Sequence, residues 1–411
     1  MSNFNPREML SLENQYLYKG AGFTNKLPTG IPTLDIALAG GIPLNGSIIE
    51  IYGEESAGKT TITYRFCKRC TDYPTGYVTW VDSELSYDDF WATIQGVDTT
   101  KLIPYRPPHM EAANEIILND IKKYKEVFLP WLLDSKWRPT SEQAEAAGVG
   151  VSSVDVVKQY MIDNAPPHII VWDSLAAAPV RSVAEAEGDF REGMAYRARL
   201  IKSFLSRYQV NVEGCDKISM ILINQVIDNI GDQWNPITTP GGRGLRHGKH
   251  LSIFVKKAGS GEKDQDQFVV TDYVKLAITK NKVTPIIASF PVLFSKSKGY
   301  IGATSVLEYL MSIGWFRNAG SWKKFTYSKV DPETGELVEE EISFQRTNFY
   351  KLISDRPEIF EFLCESIKQM FLSKFEGNKS LESTDIKSIV KACMEESSAL
   401  PSEEESKSMI D

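Results

Sequence analysis

Short apolar runs alternate with helical patterns along most of this chain. The apolar runs are Ile48–Tyr52, Tyr77–Asp82, His168–Ser174, Ile218–Asn224, Leu251–Lys256 and Asp272–Lys280. Runs this short indicate buried strands, whereas longer segments with apolar residues at helical spacing, such as Glu192–Tyr208, indicate helices. Strands that alternate with helices predict an α/β fold with a mainly parallel central sheet covered on both faces.

The pattern changes after Gly314. A small hairpin is predicted around the turn Val330–Gly335, and an amphipathic helix is predicted over Glu358–Phe375. Near the start of the chain, Pro6–Tyr18 is a short helical candidate. The predicted divisions are an N-terminal arm or cap of residues 1–28, an α/β core of residues 29–314, a small α+β C-terminal domain of residues 315–396 and a disordered acidic tail of residues 397–411.

Composition narrows the class of protein. A chain of 411 residues with 42% hydrophobic residues can build a sizeable core. No apolar run approaches the ~18 residues of a membrane span, and the N-terminus carries no signal-peptide pattern, so an intracellular protein is expected. Five Cys make no disulfide framework, and Cys67 and Cys70 are interpreted as structural thiols. Because the net charge is −8, nucleic-acid binding would depend on local clusters of Lys and Arg.

The run Ile48–Tyr52 leads directly into a motif of the form G-x-x-x-x-G-K-[ST]. Glycines at both ends let successive backbone N–H groups point at one anion, and the N-terminus of the next helix favours a phosphate there. Lys59 can reach the β- and γ-phosphates of a nucleotide, and the Thr60 hydroxyl can ligate Mg²⁺. The residues of this predicted phosphate loop are Gly53, Glu54, Glu55, Ser56, Ala57, Gly58, Lys59 and Thr60.

Three later strands end in polar side chains that suit the same site. Ligands bind at the carboxyl ends of the strands in such sheets. Asp173 could hold Mg²⁺ or cap the following helix. Glu84 could activate the attacking water or be an ordinary solvated or capping residue. Gln225 could hydrogen-bond the γ-phosphate or be a surface amide.

The stretch Ile227–His250 is long, rich in Gly and Pro, and predicted to lack regular structure. Long loops inside compact domains are usually functional. Basic groups and an aromatic face suit single-stranded nucleic acid, whereas the alternative is a solvated mobile loop. The candidate contacts are Trp234, Arg243, Arg246 and Lys249. A second irregular stretch, Trp137–Val151, is predicted as a surface excursion.

These pieces, in this order, resemble the RecA family of ATP-dependent recombinases, including phage recombinases of the UvsX type. The resemblance covers about residues 29–320. It rests on the segments Leu34–Leu38, Ile49–Thr61, Asp82–Glu84, Asp173–Ala177, Ile223–Gln225, Thr239–Gly242 and Lys280–Lys282. Two departures are that Arg246-His247-Gly248 stands where bacterial RecA has an aromatic pair, and that the segment Glu111–Asn164 is longer.

The resemblance implies roles for individual residues. Glu84 becomes the general base, with Lys59 and Gln225 as its catalytic partners, and Thr61 joins the phosphate loop. The remaining implied sites are Asp88 and Trp91 at adenine, Arg197 and Arg199 after the first DNA-binding loop, Gly241 and Gly242 in the second DNA-binding loop, and Lys280 and Lys282 reaching the ATP of an adjacent subunit.

The resemblance also implies a function. A RecA-like chain uses ATP and Mg²⁺, forms helical filaments of many copies on single-stranded DNA, and pairs that strand with homologous double-stranded DNA. Single-strand-binding and loader proteins are further expected partners, and the expected location is the cytoplasm of a bacterial or phage-infected cell. A ring helicase and a regulatory ATPase share the same nucleotide motifs and are the alternatives.

Overall fold

The computed structural model describes residues 25–73, 76–128, 138–164, 168–184, 190–213, 215, 217–228, 237–260, 271–330 and 335–395. The helical candidate Pro6–Tyr18, Trp234 and the tail from residue 397 lie outside the described residues.

The strands fall at the predicted apolar runs and at several further places. Their bounds are β1 Lys26–Leu27, β2 Ile42–Pro43, β3 Ser47–Gly53, β4 Val78–Asp82, β5 Leu102–Tyr105, β6 Ile169–Asp173, β7 Ser219–Gln225, β8 Ile227–Asp228, β9 Ile237–Thr238, β10 Leu251–Ser260, β11 Thr271–Asn281, β12 Ser289–Ser295, β13 Gly299–Ile301, β14 Arg317–Ala319, β15 Trp322–Val330 and β16 Leu337–Gln345.

The helices connect these strands and cover both faces of the sheet. Their bounds are α1 Pro32–Ala37, α2 Lys59–Thr71, α3 Asp89–Ile94, α4 Met110–Lys123, α5 Ser141–Ala146, α6 Val154–Asn164, α7 Arg181–Ala184, α8 Phe190–Asn211, α9 Gly242–Gly248, α10 Thr304–Ser312, α11 Phe349–Asp355, α12 Pro357–Leu372, α13 Lys379–Glu382 and α14 Ile386–Met394. A π-helical turn, Tyr124–Phe128, continues α4.

The central sheet has the strand order β13-β12-β11-β10-β3-β7-β6-β4-β5 among the described residues. Neighbours from β10 to β5 are parallel, and β10 to β13 continue the sheet antiparallel. The predicted α/β fold with a mainly parallel sheet is confirmed. The register places Gly53 level with Gln225 and Asp82 level with Asp173, so the polar strand ends meet at one edge.

Alternate residues along the strands fill two hydrophobic layers. Ile49 of β3 lies in the layer that includes α2, whereas Ile48 lies in the layer formed with α4 and α8. Trp80 and Trp172 are fully buried in β4 and β6. Burying each large apolar side chain contributes about 1.5–3 kcal/mol, so these layers hold the strand ends in register.

The C-terminal elements join the same core. The predicted hairpin is an antiparallel three-stranded sheet in the order β14-β15-β16. Helices α12 and α14 pack against α1, and one cluster of buried residues extends from Leu27 to Cys393. The predicted helix at Glu358–Phe375 is found as α12.

Three sequence expectations were wrong or incomplete. Strands β5 and β12 were not predicted, because Pro104 and Pro291 weaken their strand patterns. The excursion Trp137–Val151 contains α5 in its described part. The stretch Ile227–His250 is not structureless where it is described, because β8 pairs with β9 and a helix follows Gly241. Buried Leu245 anchors that helix to the core.

Candidate functional site

The phosphate loop connects an interior strand to the helix α2. Gly58 has φ +92° and immediately precedes α2, and a Cβ on Gly58 would lie 2.7 Å from Tyr300 Oη. A Cβ on Gly53 would lie 2.0 Å from the carbonyl oxygen of Val255. Glycine is therefore required at both ends of the loop, for left-handed backbone at one and close strand packing at the other.

Lys59 lies across this loop. Its Nζ donates hydrogen bonds to the carbonyl oxygens of Gly53 (3.2 Å) and Glu54 (2.6 Å). Burial lowers the pKa of Lys59, and the carboxylates of Glu84 and Asp173 oppose that shift. The lysine therefore sits between the loop and two acidic groups, where an anion such as a phosphate would complete its surroundings.

Thr60 and Asp173 form a pair suited to a cation. Thr60 Oγ1 donates to Asp173 Oδ2 at 3.2 Å. Asp173 is only 1% exposed, and burial followed by the negative charge of Glu84 raises its pKa to about 7. Lys59 only partly offsets the negative charge that Asp173 and Glu84 place here, so these two oxygen ligands fit Mg²⁺, which binds few protein groups and takes the rest from phosphate and water.

Glu84 and Gln225 face each other at the end of the sheet. Gln225 Nε2 donates to Glu84 Oε1 at 3.0 Å. The backbone N–H groups of Ser83 and Glu84 both donate to the carbonyl oxygen of Asp173 (2.7 and 3.2 Å), which ties this segment to β6. Glu84, Gln225, Asp173, Lys59 and Thr60 thus converge at one edge, as their positions at strand ends predicted.

The two residues predicted to contact adenine lie at the start of α3, Asp88 as its N-cap and Trp91 in its first turn. Asp88 Oδ1 accepts from the N–H groups of Phe90 (2.7 Å) and Trp91 (3.1 Å) and so caps this helix. Trp91 Nε1 donates to Thr61 Oγ1 at 3.3 Å, which holds the indole against the start of α2. This places Trp91 near the phosphate loop, and its contact with a base stays a prediction.

Some of the predicted DNA-binding residues are exposed, whereas others form contacts within the chain. Arg199, Arg243 and Arg246 are exposed, and Gly241 and Gly242 form the turn into α9 with φ +117° and +64°. Arg197 is instead half-buried and donates to the carbonyl oxygens of Leu175 and Ala176, the latter at 2.7 Å. Its guanidinium therefore braces the segment after Asp173.

The prediction that Lys249 contacts DNA needs a correction. Its ammonium forms an ion pair with the fully buried carboxylate of Glu50, and its side chain is only 12% exposed. A lysine engaged in this way is not a surface cation for the DNA backbone, so we remove it from the candidate DNA contacts. Its place beside basic Arg246 and His247 in the sequence gave no sign of this partner.

Lys280 and Lys282 contact α9 within their own chain. Lys280 Nζ donates to the carbonyl oxygen of Arg246, and Lys282 Nζ donates to that of His247 at 3.2 Å. Positive charge at the C-terminal end of a helix is favourable because the last carbonyls there lack partners. The contact of these two lysines with the ATP of another subunit stays a prediction.

Two further residues shape the site and were given no role from the sequence. Asp82 is fully buried and accepts from the N–H groups of Ser86 (3.1 Å) and Tyr87 (3.2 Å), which shapes the turn that carries Glu84. Tyr300 Oη donates to the carbonyl oxygen of Gly58 at 3.3 Å and supports the phosphate loop from below. An acidic residue closing an apolar strand was the available signal for Asp82, whereas Tyr300 had none.

Two properties of the described residues concern the class of site. Within these ranges, no helix combines the length and the hydrophobicity of a membrane span. Among them, no three His, Cys, Asp or Glu side chains cluster as a metal site made of protein ligands alone. A hydroxyl and a carboxylate that complete their coordination with a nucleotide are a different arrangement, and Thr60 with Asp173 is of that kind.

Comparison with known proteins places the chain in a family. The family model described as the RecA N-terminal domain matches residues 19–126 and 146–299, which is more than half of the chain. Protein RecA of Trichormus variabilis is 28% identical over 349 residues, covering 84% of this chain and 80% of that protein. Protein RecA of Gloeobacter violaceus is 29% identical over 305 residues, covering 73% and 69%. Protein RecA of Cytophaga hutchinsonii is 28% identical over 311 residues, covering 74% and 73%. The extent of these matches, together with the nucleotide-loop geometry, shows that this chain belongs to the RecA family of recombinases.

Proposed function

We propose that this protein hydrolyses ATP while it polymerises on single-stranded DNA and exchanges strands with a homologous duplex. The observation that carries the proposal is the hydrogen bond between Gln225 and Glu84. It joins a predicted catalytic carboxylate to the end of β7, after which the candidate DNA segment Ile227–His250 begins. The nucleotide site and the candidate DNA contacts are therefore consecutive along the chain.

In the proposed mechanism the chain's own residues bind and orient ATP. The N–H groups of the Gly53–Thr61 segment and Lys59 hold the phosphates, and Glu84 accepts a proton from the attacking water. Thr60 and Asp173 would hold Mg²⁺, which supplies charge neutralisation on the phosphates when bound. Asp88 and Trp91 are proposed to orient the adenine.

Gln225 is proposed to report the state of the nucleotide. A γ-phosphate near Gln225 competes with Glu84 for the same amide hydrogens, so phosphate binding and release would change where this side chain donates. Because Gln225 ends β7, such a change alters the start of the segment that carries Arg243 and Arg246. Hydrolysis would then weaken DNA binding and allow the filament to disassemble.

Lys280 and Lys282 are proposed to contact ATP bound to the neighbouring copy. Both are lysines on β11 or just beyond it, on the opposite side of β3 from Glu84. A nucleotide clamped between two copies would make assembly depend on ATP. We further propose that Arg199 with Arg243 and Arg246 contacts the DNA backbone, that residues 315–396 act as a C-terminal domain, and that the protein works in the cytoplasm of a bacterial or phage-infected cell.

Electron microscopy tests the proposal directly. The purified protein is imaged on single-stranded DNA with a slowly hydrolysed ATP analogue, beside a nucleotide-free control. Helical filaments that need the nucleotide, followed by strand exchange with a homologous duplex, are expected. Closed rings would indicate a helicase, and bare DNA in both samples, with or without added loader proteins, would contradict the proposal.

A further inference from the structure

Glu50 is a charged residue in the middle of an interior strand. It lies within the apolar run of β3, and its side chain is fully buried. An ionised carboxylate at such a place is costly unless it is paired and hydrogen-bonded. The groups that pair with the Glu50 carboxylate therefore show which segments this strand is bonded to.

The Glu50 carboxylate has partners from three different segments. The Lys249 ammonium forms an ion pair with Oε2, Asn224 Nδ2 donates to Oε1 at 3.0 Å, and Ser252 Oγ donates to Oε2 at 3.3 Å. Asn224 belongs to β7, Ser252 belongs to β10, and Lys249 directly follows α9. The buried carboxylate of Glu50 thus connects β3 to its neighbouring strands β7 and β10 and to the end of α9.

The contacts reach both ends of helix α9. Asn224 Nδ2 also donates to the carbonyl oxygen of Pro240 at 2.9 Å, just before the Gly241 turn. Lys249, directly after the helix, is paired with Glu50 itself. The helix is therefore held at its end by Glu50 and at its start by Asn224, which also donates to Glu50.

We infer that Glu50 is a positioning residue, which with Lys249 as its counterpart holds helix α9 in a fixed place relative to the phosphate loop. The inference rests on the proposed function and deepens it. With the helix fastened, a change at Gln225 moves Arg243 and Arg246 together. Without the Glu50–Lys249 pair, the same change shifts only the residues before α9 and leaves Arg243 and Arg246 in place. Nucleotide then no longer controls DNA binding.

The test compares Lys249→Met with Lys249→Arg, which keeps the positive charge. In the absence of DNA, hydrogen exchange of the α9 amides is expected to speed up about tenfold or more in K249M and to stay near the wild-type rate in K249R. The gain in single-stranded DNA affinity on adding an ATP analogue is expected to fall at least tenfold in K249M alone. Wild-type exchange in K249M, or an unchanged gain, would overturn the inference.

Salt dependence separates an anchor from a DNA contact. If Lys249 only holds the helix, the slope of log affinity against log salt measured without nucleotide stays as in the wild type. A slope reduced by about 0.7, with affinity lowered equally in both nucleotide states, would make Lys249 a phosphate contact and overturn the inference.

Control variants separate positioning from general stability. Glu308→Gln makes the same change at another ion-paired glutamate, which lies on α10, has a side chain 12% exposed and pairs with Arg346. It is expected to leave the nucleotide-dependent gain intact, whereas Glu50→Gln abolishes it. The double variant E50Q/K249M leaves no unpaired buried charge at this place, so the protein is expected to fold. The gain in DNA affinity on adding an ATP analogue is expected to be lost in this variant as well.

The proposed function and this inference fail in different ways. Wild-type protein without any nucleotide-dependent DNA binding would remove the proposed function, and hydrogen exchange of α9 in DNA-free K249M would still decide whether Lys249 anchors the helix. Wild-type protein with that dependence, and E50Q or K249M retaining it, would remove only the inference.

Discussion

Gln225 donates a hydrogen bond from its side-chain Nε2 to Oε1 of Glu84 across 3.0 Å. Gln225 ends β7 and Glu84 lies two residues after β4, and β6 separates these two strands in the sheet. Glu84 is the proposed general base and Gln225 is the proposed sensor. In this hydrogen bond the amide of Gln225 and the carboxylate of Glu84 are each engaged by the other. A phosphate that draws the amide away also frees the carboxylate to accept a proton from water.

Replacing Gln225 tests this relationship. Gln225→Ala removes the donor, and we expect nucleotide to be bound but no longer to strengthen single-stranded DNA binding, because the strand leading to α9 has no contact with the phosphate. DNA affinity measured with and without an ATP analogue checks this. An unchanged difference between the two states would remove Gln225 from the sensing role.

Replacing Glu84 tests the proposed base. Glu84→Gln keeps the shape and can still accept a hydrogen bond, but it cannot take the proton from water. Hydrolysis is expected to fall by about 10²- to 10⁴-fold with nucleotide affinity retained. Steady-state ATPase rates and nucleotide binding check this, with Glu115→Gln at an exposed position on α4 as a matched control. Wild-type turnover in E84Q would assign the base elsewhere.

The exposed arginines of α9 are expected to contact DNA phosphates. Arg243→Ala with Arg246→Ala should weaken single-stranded DNA binding and reduce the salt slope by about 1.4, at ~0.7 for each phosphate contact. The control replaces Lys387 and Lys391 on α14 by Ala, which removes the same charge from another surface. DNA titrations at several salt concentrations distinguish the arginine variant from the lysine control. Equal effects of the two variants would mean that the arginines act only through the net charge of the protein.

If Lys280 contacts a neighbour's ATP as proposed, assembly is expected to depend on pH. Burial, followed by the positive charges of Lys282 and Lys249, lowers its pKa to about 8. Lysine is charged below its pKa, so attraction to a neighbour's phosphate is present at pH 7 and is lost as pH rises through 8. ATP-dependent assembly measured by light scattering should decline between about pH 7 and 9. Lys280→Arg should remove this decline, because arginine stays charged; the same decline in K280R would contradict the assignment.

Gly53 is expected to be required for stability as well as for binding. A Cβ there would lie 2.0 Å from the carbonyl oxygen of Val255, so β3 and β10 would have to separate. Gly53→Ala should lower the free energy of unfolding by about 1–3 kcal/mol. Gly259, near the end of β10, has no atom within 4 Å of a built Cβ. Gly259→Ala should change the free energy of unfolding by no more than about 0.5 kcal/mol. Denaturant unfolding of both variants checks the contrast.

Much of the nucleotide site could be predicted from local sequence. The phosphate loop is contiguous, and Glu84, Asp173 and Gln225 each lie at or just after the end of an apolar strand, so a parallel sheet places them at one edge. The strand order then decides how close they lie. The candidate DNA segment was also identified, although its helix α9 was missed. Glycines at Gly241 and Gly242 favour a loop prediction, and only the buried contact of Leu245 reveals the helix between the two glycine-rich ends.

Residues that depend on contacts between distant segments could not be predicted. Glu50 and Lys249 are 199 residues apart, and Tyr300 lies 242 residues beyond Gly58. In sequence, Lys249 is one more basic residue in a basic loop, and Lys280 gives no indication that it contacts the end of α9. Their partners follow from β3 lying between β7 and β10, which is a property of sheet order.

The sequence by itself therefore determined the class of fold, the phosphate loop and the polar strand ends, because hydrophobic periodicity and short motifs act over a few residues. The tertiary structure alone decided which charges face solvent and which are buried in pairs. That outcome depends on which strands become neighbours, since a buried carboxylate such as Glu50 is stable only where folding brings a cation to it.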